Sequence, residues 1–299
     1  MHRTFEHSQT MRPEMRRLIC GTAAVVAVLG CAASSPPSNG HGAASAAPTA
    51  SAEPALVRVV ARDFAFDSAH SVPAGLVAIR FVNDGHAIHM LGVARLDSGK
   101  TVADVSQALS KNTFPGWINE LGGPGPVSPG DSVTQYAVLE PGTYSMICWW
   151  PDSTGKEHAM SGMMSTLTVT GQTANAPVEP TPDIYLRERD YNISTTGAFT
   201  AGHHVFRLDN DGPQEHDISI LRVLPGKTEA EVDKWLLKPD MREAPVEALG
   251  GTVGVTRWGH TEFAADLKPG SYLILCMVPD AKDGKPHFMH GMVTKVSVT

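Results

Sequence analysis

The sequence predicts an all-β chain: two tandem β-sandwiches, each interrupted by one short helix. Three observations carry that expectation. The first is a series of short apolar runs between Gly, Pro and Asp turns: Val57–Ala61, Val77–Val82, Ser132–Leu139, Tyr144–Cys148, Val205–Leu208, Asp217–Val223 and Tyr272–Met277. The second is a duplication. Asn83-Asp84-Gly85 and His89 align with Asn210-Asp211-Gly212 and His216 at an offset of 127 residues. Pro141-Gly142-x-Tyr144 and Cys148 meet Pro269-Gly270-x-Tyr272 and Cys276 at 128, and His158 and Met163 meet His287 and Met292 at 129. The third is a helix signal in each half. Thr101-x-x-Asp104 and Thr228-x-x-Glu231 read as capping boxes, followed at helical spacing by Val105, Ala108 and Leu109, and by Val232, Trp235 and Leu236. Those stripes are expected to pack on the core.

Taken in order, residues 1–31 read as a secretory signal. Arg16-Arg17 precede an apolar run from Leu18 to Leu29, too short to span a bilayer. Val28-Leu29-Gly30-Cys31 resembles a bacterial lipobox, which makes Cys31 the expected lipidation site and new N-terminus. The stretch ahead of Arg16 adds nothing to such a signal and points to Met11 or Met15 as the start. Residues 32–54, rich in Ala, Ser, Pro and Gly, read as a disordered tether holding the body off a membrane. The first sandwich is expected over 55–170, a Pro-rich linker over 171–182, and the second sandwich over 183–299.

With 299 residues, 42% of them hydrophobic, the chain can fill two ordinary cores. A formal net charge of −7 gives no electrostatic footprint for nucleic acid. Of the four cysteines only Cys148 and Cys276 lie in the body, one per half, which rules out a disulfide scaffold. No G-x-S-x-G, Walker, Rossmann or H-E-x-x-H pattern appears, and no enzyme is expected.

Each half therefore carries a His, a Cys, a second His and a Met in the same order: His89, Cys148, His158, Met163, and His216, Cys276, His287, Met292. Two imidazoles, a thiolate and a thioether suit copper. The sulfur is soft and electron-rich, imidazole serves either oxidation state, and a weak axial Met tunes the potential. Between 81–101 and 208–228 only eight of twenty-one positions are identical, yet the first His is one of them. For a lone His, Cys or Met, core packing or a backbone hydrogen bond is the commoner role. The repetition of all four types argues for ligands.

These residues resemble the cupredoxins, the small blue copper proteins, over roughly residues 55–299 less the linker. The resemblance implies Greek-key sandwiches with one His on an early strand and Cys, His and Met on the loop between the last two strands. It implies one or two copper ions per chain and electron transfer at an end of the fold, where the second His edge faces a partner. The four-residue His-to-Met spacer fits plastocyanin-type and nitrite-reductase-type loops. The Cys-to-His spacers, nine and ten residues, are longer than in most cupredoxins. Met90 and Asp217 stand where small blue proteins often have an Asn that steadies the Cys loop. Ile147 and Leu275 stand where multicopper oxidases and two-domain nitrite reductases have the His that feeds a catalytic copper.

The expected function is thus an exported, lipid-anchored, periplasmic or cell-surface copper-binding electron carrier, with a redox protein or a copper donor or acceptor as partner. Rival readings are a Cu(I)-handling protein using the extra Met289 and His290, and a metal-free adhesion or assembly module. His203 and His204, adjacent on a strand, point to opposite faces and cannot share an ion. His86 and His260 have no partner at ligand spacing, His41 lies in the tether, and Trp149-Trp150 read as aromatic core.

Overall fold

The computed structural model describes residues 53–171, 178–237 and 244–299. The signal, Cys31, nearly all of the tether and the centre of the linker lie outside the described residues. In the first half the strands are β1 (Ala55–Arg62), β2 (Ala65–Ser68), β3 (Ser71–Pro73), β4 (Gly75–Asn83) and β5 (Gly92–Leu96). Helix α1 (Val102–Ser110) follows, then β6 (Ile118–Glu120), β7 (Gly123–Pro124), β8 (Ser132–Leu139), β9 (Gly142–Ile147) and β10 (Met164–Thr170). The second half holds β11 (Ile184–Arg189), β12 (Asn192–Thr196), β13 (Gly202–Asn210), β14 (His216–Val223), helix α2 (Glu229–Leu237), β15 (Val246–Val255), β16 (His260–Leu267), β17 (Gly270–Leu275) and β18 (Val293–Val298).

These strands form all-β sandwiches, but the two halves share a sheet. Strands β2, β1, β4 and β8 of the first half continue through a β8–β16 pairing into β16, β13, β11 and β12 of the second, giving one sheet of eight strands. Each half closes over this sheet with five more strands, in the orders β3-β10-β9-β5-β6 and β18-β17-β14-β15-β7. The last of these, β7, comes from the first half and pairs with β15 of the second. One cluster of buried apolar side chains runs from Val57, Phe81 and Met146 to Phe206, Ile220 and Leu275. At the seam a Cβ on Gly251 would collide with the carbonyl oxygen of Ile218, and its φ of 122° is glycine territory. Lys268 adds ion pairs to Asp131 of the first half at 2.8 Å and to Glu247 at 2.7 Å.

Both helices form where their caps predict. Thr101 and Asp104 exchange side-chain and backbone hydrogen bonds across the first turn of α1. Thr228 and Glu231 do the same for α2. The expected stripes are buried: Val105, Ala108 and Leu109 on α1, Val232, Trp235 and Leu236 on α2. The repeated Pro-Gly-x-Tyr motif also has a structural cause. Tyr144 Oη donates to the carbonyl of Glu140 at 2.8 Å and Tyr272 Oη to that of Lys268 at 2.6 Å, pinning the turn before β9 and before β17. Among the described residues no helix is long and apolar enough to cross a membrane.

Candidate metal centre

The Asn-Asp-Gly turns exist to place the first His. In the first half Asn83 Nδ2 donates to the carbonyls of Ala87 and Val127, both at 2.7 Å, while its Oδ1 accepts from Gly85 N–H at 2.9 Å. Asn210 repeats this with Gln214 at 2.8 Å, Val255 at 3.0 Å and Gly212 N–H at 2.8 Å. The glycine is required because the imidazole packs against it. A Cβ would lie 2.9 Å from His89 Nε2 at Gly85, and 2.8 Å from His216 Nε2 at Gly212.

The second half of each site is one loop folded back on Cys. Cys148 N–H donates to the Met163 carbonyl at 3.2 Å, and Ala159 N–H to the Cys148 carbonyl at 2.9 Å. Met163 N–H donates to the His158 carbonyl at 3.1 Å. Cys276, Phe288, Met292 and His287 repeat the three bonds at 3.1, 2.9 and 3.1 Å. The extra residue of the second loop is absorbed far from the ligands. Asp152 N–H reaches the Lys156 carbonyl, whereas Asp280 N–H reaches that of Lys285, one residue further on. Both loops then rejoin, with His158 N–H on the Trp150 carbonyl and His287 N–H on that of Val278. The long spacers therefore form a side turn and leave the ligand register intact.

Three donor atoms meet in each half. In the first, His89 Nδ1 and His158 Nδ1 are 3.1 Å apart, and Cys148 Sγ lies 3.8 and 3.6 Å from them. In the second, the corresponding separations are 3.1 Å between His216 and His287, and 3.7 and 3.4 Å to Cys276 Sγ. Imidazole nitrogen bonds a transition ion at about 2.0 Å and thiolate sulfur at about 2.3 Å, so triangles of this size admit one ion bonded to all three atoms. The donor set, two imidazoles and a thiol, is that of a soft-to-borderline metal. Met163 and Met292 are fully buried and hydrogen-bonded through their backbone to the two cysteines. Six of the eight predicted site residues thus form two triangles, and Met163 and Met292 are tied to the cysteines through the backbone.

Burial sets the protonation of these groups. His158 and His287 are pushed down to about 4, first by burial and then by the neighbouring imidazole, so both rings are neutral and ready to ligate at neutral pH. Burial pushes the Cys148 thiol up to about 12 and raises that of Cys276 well above its usual value. Neither cysteine is in a disulfide.

The sequence reading missed the carboxylates that hold the first His. His89 Nε2 meets Asp63 Oδ1 at 3.2 Å, and His216 Nε2 meets Asp190 Oδ1 at 3.0 Å. By occupying Nε2 they turn Nδ1 toward the other donors. Burial alone would raise Asp63, but hydrogen bonds from His86 and His89 hold it well below the carboxylate range. The signal was present, because Asp63-Phe64 and Asp190-Tyr191 share the same 127-residue offset as the Asn-Asp-Gly turns. The aromatic partners matter too. Phe64 stands edge-on to His158 with ring centres 5.3 Å apart, and Tyr191 to His287 at 5.7 Å. The second His does not face solvent as expected. His158 is 2% exposed and His287 fully buried, each beneath its aromatic ring.

The two sites differ behind the thiol. Asp217 N–H donates to Cys276 Sγ at 3.4 Å, and its Oδ1 accepts from Met277 N–H at 2.7 Å, steadying the Cys loop as an Asn would. Met90, at the equivalent position, has no oxygen for that bond. Burial pushes Asp217 up to about 7, and nearby Glu188 is raised well above its usual value by burial and then by Asp217. Neither Glu188 carboxyl oxygen has a hydrogen-bond partner. The first half replaces this acid pair with Ala61 and Met90, at the same offset.

Other candidates go elsewhere. His86 Nδ1 meets Asp63 Oδ2 at 2.7 Å and belongs to no donor cluster among the described residues. His204 is buried on Asp183 while His203 reaches Asp266 on the outer side, as their opposite directions require. His290 Nε2 rests on Asp283 at 3.1 Å, and Met289 and Met160 are 46% and 36% exposed. Trp149 packs on Phe114, and buried Trp150 meets Trp235 of α2 across the seam with ring centres 6.3 Å apart.

No protein-family profile and no curated protein matches the chain. Solved structures similar to it include an auracyanin from Roseiflexus castenholzii, with 21% identity and a TM-score of 0.29, covering 40% of this chain and 99% of that one. Auracyanin A from Chloroflexus aurantiacus, a blue copper protein, has 20% identity and a TM-score of 0.29, covering 40% and 100%. The copper nitrite reductase of Nitrosomonas europaea has 14% identity and a TM-score of 0.23, covering 83% and 94%. At these identities and scores, the cupredoxin-like reading rests on this chain's own sheets and donor triangles.

Proposed function

We propose that this chain is an exported copper-binding electron carrier with two type 1-like centres: His89, Cys148, His158 and Met163 in one, His216, Cys276, His287 and Met292 in the other. The observation that carries the proposal is the buried triangle of two Nδ1 atoms and one Sγ, formed twice with nearly equal edges. Bound copper would supply a one-electron couple. The chain's own contribution is to keep the donors fixed. Asp63 and Asp190 set the ring orientation, the Asn turns hold the His loops, and the Cys–Met and His–Met backbone bonds lock the ligand loop. A site that does not rearrange between oxidation states lowers the cost of each transfer.

An electron carrier needs an approach path and no substrate cavity. Phe64, 47% exposed and edge-on to His158, gives a partner redox protein a route over the first centre. The residues before the cysteines, Ile147 and Leu275, are fully buried and apolar, which favours transfer over coupling to a catalytic copper. Export and lipid anchoring at Cys31 belong to the same proposal and rest on the sequence of the first 31 residues.

Metal content and the visible spectrum after copper loading test this reading. An intense thiolate-to-Cu(II) band with two coppers per chain is expected, and Cys148→Ser or Cys276→Ser should each remove one. Copper bound without that band would replace the proposal with Cu(I) handling. No bound copper would leave a scaffold without its ion.

A further inference from the structure

A cleft of about 290 Å³ opens where β8 and β16 join the halves, away from both thiols. Its wall carries Glu179, from the chain leading into β11, together with His260 and Glu262 of β16. His260 and Glu262 are two apart on a strand and so share a face. One ligand atom from each of the three residues lies within 4.8 Å of the other two. Glu262 is only 3% exposed, and its Oε1 accepts from Arg207 Nη1 at 2.6 Å. That guanidinium is also held by Asp209 at 3.0 Å, so a single cation serves Asp209 and Glu262 with Glu179 close by. The cleft therefore carries more negative than positive charge. Gln135, 2% exposed, lines the same cleft. Its Nε2 donates to the hydroxyls of Thr252 and Thr261, while its carbonyl Oε1 has no hydrogen-bond partner.

We propose that Glu179, His260 and Glu262 form a binding site for a divalent transition cation of the Zn²⁺ class, separate from the two thiol-containing centres. Two carboxylates and an imidazole are a hard-to-borderline donor set without sulfur, so an ion held there differs in its optical signature from one held at Cys148 or Cys276. A cation there neutralises the excess charge of the cleft and ties the chain entering the second half to the strand that joins the halves.

The test uses the copper-loaded protein and Co²⁺ as an optical stand-in for Zn²⁺. One Co²⁺ per chain is expected, with weak visible bands and no thiolate-to-cobalt charge-transfer band. His260→Ala, at an exposed position, should lower the Co²⁺ affinity at least ~10-fold, and Glu179→Gln should lower it as well. Zn²⁺ should raise the thermal midpoint of the parent and leave that of His260→Ala unchanged. Circular dichroism of both variants checks that the fold is kept. Absence of Co²⁺ binding, or binding that both variants leave untouched, overturns the site. Cobalt that enters with a thiolate charge-transfer band reports vacant cysteine centres instead, so failure of the copper reading is told apart from failure of this one.

Discussion

Asp63 and Asp190 are the residues on which each centre's orientation turns, because each grips the far nitrogen of the first His. Removing such an outer carboxylate typically costs 10–100-fold in metal affinity. Asp63→Asn should therefore weaken copper binding at the first centre by about that factor and leave the second unchanged. Asp190→Asn should do the reverse, as metal titration of the single-cysteine variants will read. A second residue-scale prediction concerns Glu188, buried with both carboxyl oxygens unpartnered and its pKa well raised. A carboxyl raised in the folded state stabilises the fold most below its unfolded value, near 4.5, and that contribution is lost as pH rises through the folded value. The metal-free parent should therefore lose stability relative to Glu188→Gln as pH climbs above about 4.5. Denaturant midpoints across that range give the two slopes, and parallel slopes would refute the assignment.

At the scale of elements, the conserved-looking fragments of the duplication turn out to be turns and locks as much as ligands. Asn-Asp-Gly is a turn with a close-packed glycine. A Cβ on Gly212 would lie 2.8 Å from His216 Nε2 and 2.9 Å from Asp190 Oδ1, so Gly212→Ala should destabilise the fold by about 1–3 kcal/mol and disturb the second centre first. Pro-Gly-x-Tyr is a tyrosine corner. Tyr144→Phe should cost about 1 kcal/mol through the bond to the Glu140 carbonyl, measured as a shift in denaturant midpoint. Helix existence and facing were legible from the capping boxes and apolar stripes, because both signals are local. Strand β15 was not legible. Its sequence VEALGGTVGV lacks a clean alternation, and its glycines make room for tertiary neighbours: Gly250 for the Val133 side chain of β8, Gly251 for the Ile218 carbonyl of β14 and Gly254 for the Gly122 backbone.

For the whole molecule, the shared sheet and the common core make the two halves one body. Residues 53–299 should unfold in a single calorimetric transition, and two separable transitions would show that the β8–β16 and β7–β15 pairings do not couple the halves. The sequence by itself determined the duplication, the all-β class, both helices and the eight candidate ligands, since each is written in residue type and short-range spacing. Tertiary structure alone decided how the two His and one Cys of each half close into a triangle, and that Asp63 and Asp190 stand behind them. It also decided that the second His lies under an aromatic ring, and that the sandwiches merge through one sheet. Those outcomes depend on contacts between residues far apart in the chain, where backbone hydrogen bonding and packing choose partners that no local pattern names.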